Sequence, residues 1–262
     1  DLNAQLNANR AGSERLSNLF KEYGATLLDR ACEDILAASE TRMRELIKQI
    51  PDGIYSFEDQ LDDYGPGTEP IRVAVDITVE ESTIEVDFSR SSDQVPAALN
   101  SYINYTRAYT TFAVKVFCDA LLPQNEGGIR PIKTTAREGS FFNPTFPAAS
   151  GGRATVQIRI FDAINGALAQ ALPHRAMGAF SHWNNPNIGG TDPRTGKSFV
   201  MYDLGFGGYG ARADSDGPEA LAPVVNCRNI PIEVHEHNNP VRIKKLELIT
   251  DSGGAGQYRG GC

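Results

Sequence analysis

The chain has 262 residues, of which 40% are hydrophobic and 22% charged, and its formal net charge is −8. This is an ordinary globular composition, long enough for one large domain or two of common size and able to bury a sizeable core. The acidic balance argues against a nucleic-acid groove, no run of about 18 apolar residues offers a membrane span, and no basic-then-apolar leader opens the sequence.

The first segment, residues 10–50, carries apolar side chains at three- and four-residue spacing from Leu16 through Leu27 and Leu28 to Leu46 and Ile47, which predicts helix. Gly24 is the expected break between two helices. Pro51-Asp52-Gly53 is a stop and turn. Strands follow over Ile54–Glu58, Ile71–Val79 and Thr83–Phe88, the last two alternating around a turn at Glu80–Ser82, so they read as a hairpin. A second helix is expected over about Ser101 to Leu121, ended by Pro123, then a short strand at Pro131–Arg137. A third helix spans Thr155 to Leu172, ended by Pro173. From Ala176 the texture changes to strands between glycine-rich turns, expected at Ala176–Trp183, Ser198–Phe206, Ile230–His235 and Val241–Ile249. The order of elements predicts an α+β fold with antiparallel or mixed sheets, packing helices and glycine-rich loops. We divide it into a helical segment 1–53, an α+β region 54–175 and a β-rich region 176–262.

The cysteines Cys32, Cys118, Cys227 and Cys262 form no CxxC pair, which reads as reduced thiols in a cytoplasmic protein. The chain starts at Asp1 and stops at Gly261-Cys262 just after a glycine run, so it reads as a piece of a longer protein or a processed chain.

Several motifs bear on chemistry. Thr191–Ser198 contains Gly-Lys-Ser, but Gly190 stands out of register with Gly196 for a phosphate cradle, and a strand pattern follows where a helix is needed. The expectation is a hairpin loop. In His235-Glu236-His237 the two imidazoles would share one face of a strand and make candidate metal ligands, against the plainer reading of polar residues at a turn. The run from Gly205 to Arg212 has four glycines in its first six residues. Its backbone could approach a ligand or another chain closely, or simply turn tightly. Gly207, Gly208 and Arg212 are therefore candidate substrate-binding residues, Arg212 as a clamp for a carboxylate or phosphate. Arg228 and Asn229, next to Asn226 and Cys227, either support that loop or reach a substrate. His182 is the candidate general base, with a structural role as the alternative. Ser150 lacks the G-x-S-x-G elbow of a serine nucleophile.

Several segments, taken in order, resemble the hydantoinase B/oxoprolinase family. They are Asp1–Gln5 with Asn9-Arg10, Pro51–Gly53 with Glu58-Asp59 and Asp62-Asp63, and Val86–Ser89 with Ser91-Ser92. Then come Asn165–Pro173, Gly207–Arg212 with Asp216-Gly217, Asn229–Glu233 and the ending Asp251–Gly261. The sequence departs from the family pattern after Gly151-Gly152, where Arg153–Gln157 replaces an Asn and a Glu-Thr-Ser run. The resemblance implies the C-terminal half of a B-type subunit in an ATP-dependent enzyme that hydrolyses cyclic amides. Its implied partners are a hydantoinase A-type, actin-like ATPase subunit, the N-terminal half of the same subunit and a small-molecule substrate. ATP and Mg²⁺ would act through the ATPase, which phosphorylates an amide or enolate oxygen. A divalent metal, Zn or Mn, would be bound mainly by the N-terminal half. The runner-up is a subunit of a biotin-independent ketone carboxylase of the acetone or acetophenone type; a non-catalytic scaffold that docks the ATPase is the third reading.

Overall fold

The computed structural model describes residues 2–181, 184–222 and 228–262. Two helices open the chain, α1 (Leu2–Tyr23) and α2 (Ala25–Ile47), separated at Gly24, whose φ of 79° is the conformation glycine tolerates best. α1 buries none of its residues, whereas α2 buries Ser39, Met43, Leu46 and Ile47 near its C-terminal end. Packing against the rest of the chain begins only in the second half of α2.

A four-stranded sheet forms the centre, with β1 (Gly53–Leu61), β2 (Ile71–Glu80), β3 (Thr83–Asp87) and β4 (Ile132–Thr135) in that spatial order. The first three strands run antiparallel, and β4 pairs parallel to β3. A parallel neighbour needs a crossover, and α3 (Ile103–Asp119) with the short α4 (Glu126–Ile129) supplies it. Val73, Val75, Ile77 and Val79 are all buried on one face of β2, as period-two alternation requires. Ala74 is buried on the other face, where Ser91 Oγ takes the Ala74 N–H and donates to its carbonyl, both at 3.0 Å. The helix α5 (Arg153–Leu168) packs across β1 and β2 and against α3. Phe88, Phe141 and Phe142 close the core with ring centroids about 5 Å apart. This is an α+β architecture with a mixed sheet.

Beyond α5 a 3₁₀ turn (Pro173–Arg175) leads to a two-stranded antiparallel sheet, β5 (Asn187–Thr191) and β6 (Ser198–Tyr202), and then to α6 (Ile232–Asn238). Four expectations are corrected here. Within 176–181 there is no strand, only an isolated bridge of Met177 to Arg212; Trp183 lies outside the described residues. Residues 230–235 enter a helix: Pro231 precedes it with φ −55°, and Glu233 sits in its first turn, both helix-starting features. A short apolar run is ambiguous between strand and helix. Residues 241–249 form no ladder among the described residues, and the strand expected at 198–206 stops at Tyr202.

Candidate functional site

The region that joins the core to the glycine-rich part is built on one face of α5. Arg159, Asp162 and Asn165 recur every three residues and so lie along one side of the helix. They hold the segment that follows the 3₁₀ turn by its backbone. Asn165 Nδ2 donates to the Met177 carbonyl at 2.6 Å, Arg159 Nη2 donates to the Phe180 carbonyl at 3.1 Å, and the Phe180 N–H donates to Asp162 Oδ1 at 3.3 Å. Arg159 also pairs with Asp59 of β1 at 3.1 Å and with Asp162 at 2.6 Å. Burial pushes the Asp162 carboxyl up to about 6, with Arg159 pulling the other way. On its far side the same segment pairs with the glycine loop, through Gly178 N to Ala211 O (2.8 Å) and Ser181 N to Gly208 O (3.1 Å). Phe180 packs edge-on against Tyr209, with ring centroids 4.7 Å apart, beside buried Ile158.

The glycines of the loop answer a packing demand. A Cβ on Gly208 would lie 2.1 Å from the backbone of Gly261, and one on Gly210 would lie 2.1 Å from the backbone of Gly178. Backbone thus meets backbone on both sides, with Tyr209 N donating to Pro218 O (3.0 Å) and Gly261 N to Tyr209 O (2.9 Å). The close approach seen is to the chain's own segments.

Two clefts flank this seam. One, of about 480 Å³, lies between the end of β1 (Gln60 and Leu61) with Asp62 and Asp63, Leu99, the first turns of α5 (Thr155, Val156, Arg159) and Phe180. The other, of about 780 Å³, is mostly apolar and runs beneath the glycine loop between β6, α6 and residues 243–249.

The sequence-derived candidates do not converge on one point. Gly207, Asn229 and His235 line the larger cleft, and Gly208 is buried behind it. Arg212 lies elsewhere, beside His174 and Asn165, with its side chain turned to solvent; its Nε donates to Ser215 Oγ at 3.0 Å and approaches Asp214 at 3.6 Å. Arg228 is exposed. His182, Asn226 and Cys227 lie outside the described residues. The premise that His235 and His237 share a strand face is corrected, because they sit on α6: His235 is buried with Nε2 3.2 Å from Asp203 Oδ1, while His237 is exposed. That Nε2 makes an ion-pair distance without a well-aligned hydrogen bond. Residues two apart on a helix point about 200° apart, so the two imidazoles cannot converge. The Thr191–Ser198 segment is the expected hairpin loop between β5 and β6, closed by Asp192 on the Arg194 N–H (2.8 Å) and guanidinium.

Among the described residues no three His, Cys, Asp or Glu side chains come together as a metal-ligand set. With the hairpin loop offering no phosphate cradle, these residues do not fit a nucleotide or divalent-metal site, and no step through either group is assigned to them. Among the described residues, no helix is long and apolar enough to cross a membrane.

The family model described as Hydantoinase B/oxoprolinase matches residues 1–262, the whole chain. The chain belongs to the hydantoinase B/oxoprolinase family. It is 33% identical over its full length to the B-type subunit of a putative D-/L-hydantoinase of Pseudomonas sp. (strain NS671), covering 46% of that relative. Among solved structures it matches the ATP-dependent caprolactamase from Pseudomonas jessenii with a TM-score of 0.90 and 30% identity, over 100% of this chain and 46% of that one. It also shares the fold of a nucleotide-free acetone carboxylase, with a TM-score of 0.79, 17% identity, and 94% and 36% of the two chains covered. The chain therefore spans about half the length, or less, of the relatives it matches.

Sequence reasoning missed Asp59, Arg159 and Asp162 as a unit. The available signal was an Arg and an Asp three residues apart on a mostly apolar, mostly buried helix, where ionisable groups need partners. The departure from the family pattern at Arg153 is accounted for locally: its guanidinium lies 4.0 Å over the Tyr105 ring and bonds the Tyr105 hydroxyl.

Proposed function

We propose that this chain is part of the B-type subunit of an ATP-dependent cyclic amide hydrolase. It acts with a hydantoinase A-type ATPase subunit and with the remaining part of its own subunit. The observation that carries this reading is the full-length likeness to the caprolactamase at 30% identity and a TM-score of 0.90. The D-/L-hydantoinase relative, at 33% identity, supports the same class. In this reading ATP and Mg²⁺ belong to the ATPase, any Zn or Mn to the rest of the B-type subunit, and the complex is cytoplasmic. The three-part division at 53/54 and 175/176 is part of the same reading. So are Gly207, Gly208, Arg212, Arg228 and Asn229 as residues toward the substrate, and His182 as a general base.

The test is to purify the full-length protein with the ATPase that accompanies it and measure phosphate release. Hydantoin, an uncharged lactam, 5-oxoproline and acetone are offered, each with and without bicarbonate. The expected result is amide-stimulated ATP hydrolysis that ignores bicarbonate and yields a ring-opened product. Bicarbonate-dependent carboxylation of the ketone would replace this reading with the carboxylase. Unchanged turnover in Arg212→Ala and Asn229→Ala complexes, with assembly lost when the glycine loop is altered, would reduce the chain to a scaffold.

A further inference from the structure

Residues 241–249 have the composition of a strand and no strand beside them. Val241, Ile243, Leu246, Leu248 and Ile249 are apolar, and the β-branched ones favour a pleated backbone. From Val241 to Ile249 the chain runs without a helical turn or a bend, a reach of about 30 Å when fully extended. Two of its backbone groups are bonded. The Ile243 N–H donates to Glu236 Oε1 at 2.8 Å, and the Ile249 carbonyl accepts from Ser252 N at 3.2 Å. The other backbone donors and acceptors of the segment have no partner among the described residues. Leu246, Leu248 and Ile249 stand in the open, 68%, 49% and 73% exposed. Across the larger cleft, β5 and β6 pair only with each other, and Val200 and Tyr202 of β6 are exposed. A two-stranded ribbon is marginal alone, and an unpaired edge is a template for another strand. Unpaired backbone that water can reach costs little by itself; unpaired backbone beside a cluster of exposed apolar side chains marks an interaction site.

We propose that residues 241–249 are a docking edge for a strand from the remaining part of the same subunit. That strand adds by main-chain pairing, and its apolar side chains cover Leu246, Leu248 and Ile249. Those three residues also line the larger cleft, with Gly207 and Asn229, so the docked strand completes a wall of that cleft. Two considerations select this occupant. The chain covers 46% of the D-/L-hydantoinase relative and 46% of the caprolactamase chain, so more than half of each lies outside the matched region. A strand tethered to the same chain pairs at high effective concentration, without the cost of capturing a second molecule. A second copy is disfavoured by charge. Arg242, Lys244 and Lys245 outnumber Glu247, and the segment laid antiparallel on itself about Lys244 or Lys245 sets like charges directly opposite. This inference rests on the reading that the chain is part of a longer B-type subunit, and adds the surface through which the rest of that subunit joins it.

The experiment measures amide hydrogen exchange in the full-length subunit, without the ATPase, at two concentrations about tenfold apart. The expected result is exchange slowed about 100-fold or more, relative to an unstructured peptide, at every second amide at least from Lys244 to Leu248. The slowing is expected to be equal at both concentrations. In a strand, neighbouring N–H groups point to opposite edges, so one of Lys245→Pro and Leu246→Pro removes a ladder donor whichever edge is paired. At least one of the two is expected to lose the protection of the whole segment. Photo-reactive benzoylphenylalanine placed at Leu248 identifies the occupant, and the expected adduct is to a residue of the same chain outside 1–262. Exchange at the unstructured rate in the unsubstituted subunit overturns the inference. So does protection that survives in both proline variants, that appears only at the higher concentration, or that appears only when the ATPase is added. An adduct to a second copy or to the ATPase overturns it as well. All of these results are read on the subunit itself, whereas amide-stimulated ATP hydrolysis is read on the complex. This inference can therefore fail while the functional reading stands, and the functional reading can fail while the docked strand is found.

Discussion

Adding one methyl group at Gly208 tests whether the glycine loop is a backbone-to-backbone joint. The ideal Cβ would lie 2.1 Å from both the carbonyl carbon and oxygen of Gly261 and 2.6 Å from its Cα. Non-bonded carbons sit about 3.5–4.0 Å apart at rest, so one of the two segments must move by more than about 1 Å. That motion breaks Gly261 N to Tyr209 O (2.9 Å) and strains Tyr209 N to Pro218 O (3.0 Å) and Ser181 N to Gly208 O (3.1 Å). At about 1 kcal/mol net per hydrogen bond, the loss is about 3 kcal/mol. For a domain of this size that corresponds to an apparent melting point lower by roughly 6–12 °C. The control is Gly254→Ala, where nothing lies within 4 Å of the added methyl and φ is outside the left-handed region; its expected effect is under about 1 kcal/mol. Melting curves of the full-length protein and amide exchange at residues 208–210 and 261 report the effect. If Gly208→Ala melts within about 2 °C of the control, with those amides still protected, the backbone joint is not what these glycines are for.

Asn100 is fully buried, accepts the Val95 N–H, and donates to the carbonyls of Val95, Ala97 and Ala149. Asn100→Ala is expected to destabilise by about 3 kcal/mol or more in a denaturant titration, since it strands several backbone groups. A Cβ on Gly127 would lie 1.9 Å from the Leu36 carbonyl oxygen; Gly127→Ala is expected to prise α4 from α2 at about 2–3 kcal/mol, visible as faster amide exchange in both helices. Asp162, raised to about 6 from an ordinary 3.8, holds its proton more tightly in the native state than in the unfolded one. Its contribution to stability is thus greatest below about pH 4, declines between about pH 4 and 6, and levels off above. Asp162→Asn is expected to remove that slope, a change of about 1–3 kcal/mol across the window; an unchanged pH profile refutes the assignment.

The parts of the fold that were legible are those whose periodicity is long. The helices expected over 10–50, about 101–121 and 155–172 and the hairpin at 71–88 follow from recurring apolar residues and their punctuation by Gly24, Pro51 and Pro173; the structure begins the first helix eight residues earlier, at Leu2, and ends the last at Leu168. The parallel pairing of β3 with β4 was not legible, because a crossover partner leaves no mark in a short strand such as Ile132–Thr135. Residues 230–235 alternate like a strand, yet Pro231 starts a helix there, and alternation over so few residues cannot decide between the two. The seam was half legible. Glycine at 208 and 210 announced a close approach without saying what approaches. Asp162 and Arg159 stood in plain sight on α5, but Asp59 lies 100 positions away from Arg159, and only the fold makes them neighbours.

The way α5 grips residues 177–180 has a consequence for how this protein can change. A strand is ordinarily held by its neighbour's backbone, which every sequence supplies alike. Here Arg159, Asp162 and Asn165 stand in for that neighbour. The position of Phe180, and so the shape of the cleft it walls, is written in three side chains carried by a helix whose other faces remain anchored in the core. Substitution along that stripe can therefore reshape the cleft, and shift the glycine loop paired to the same segment, while the sheet and the helix stay as they are.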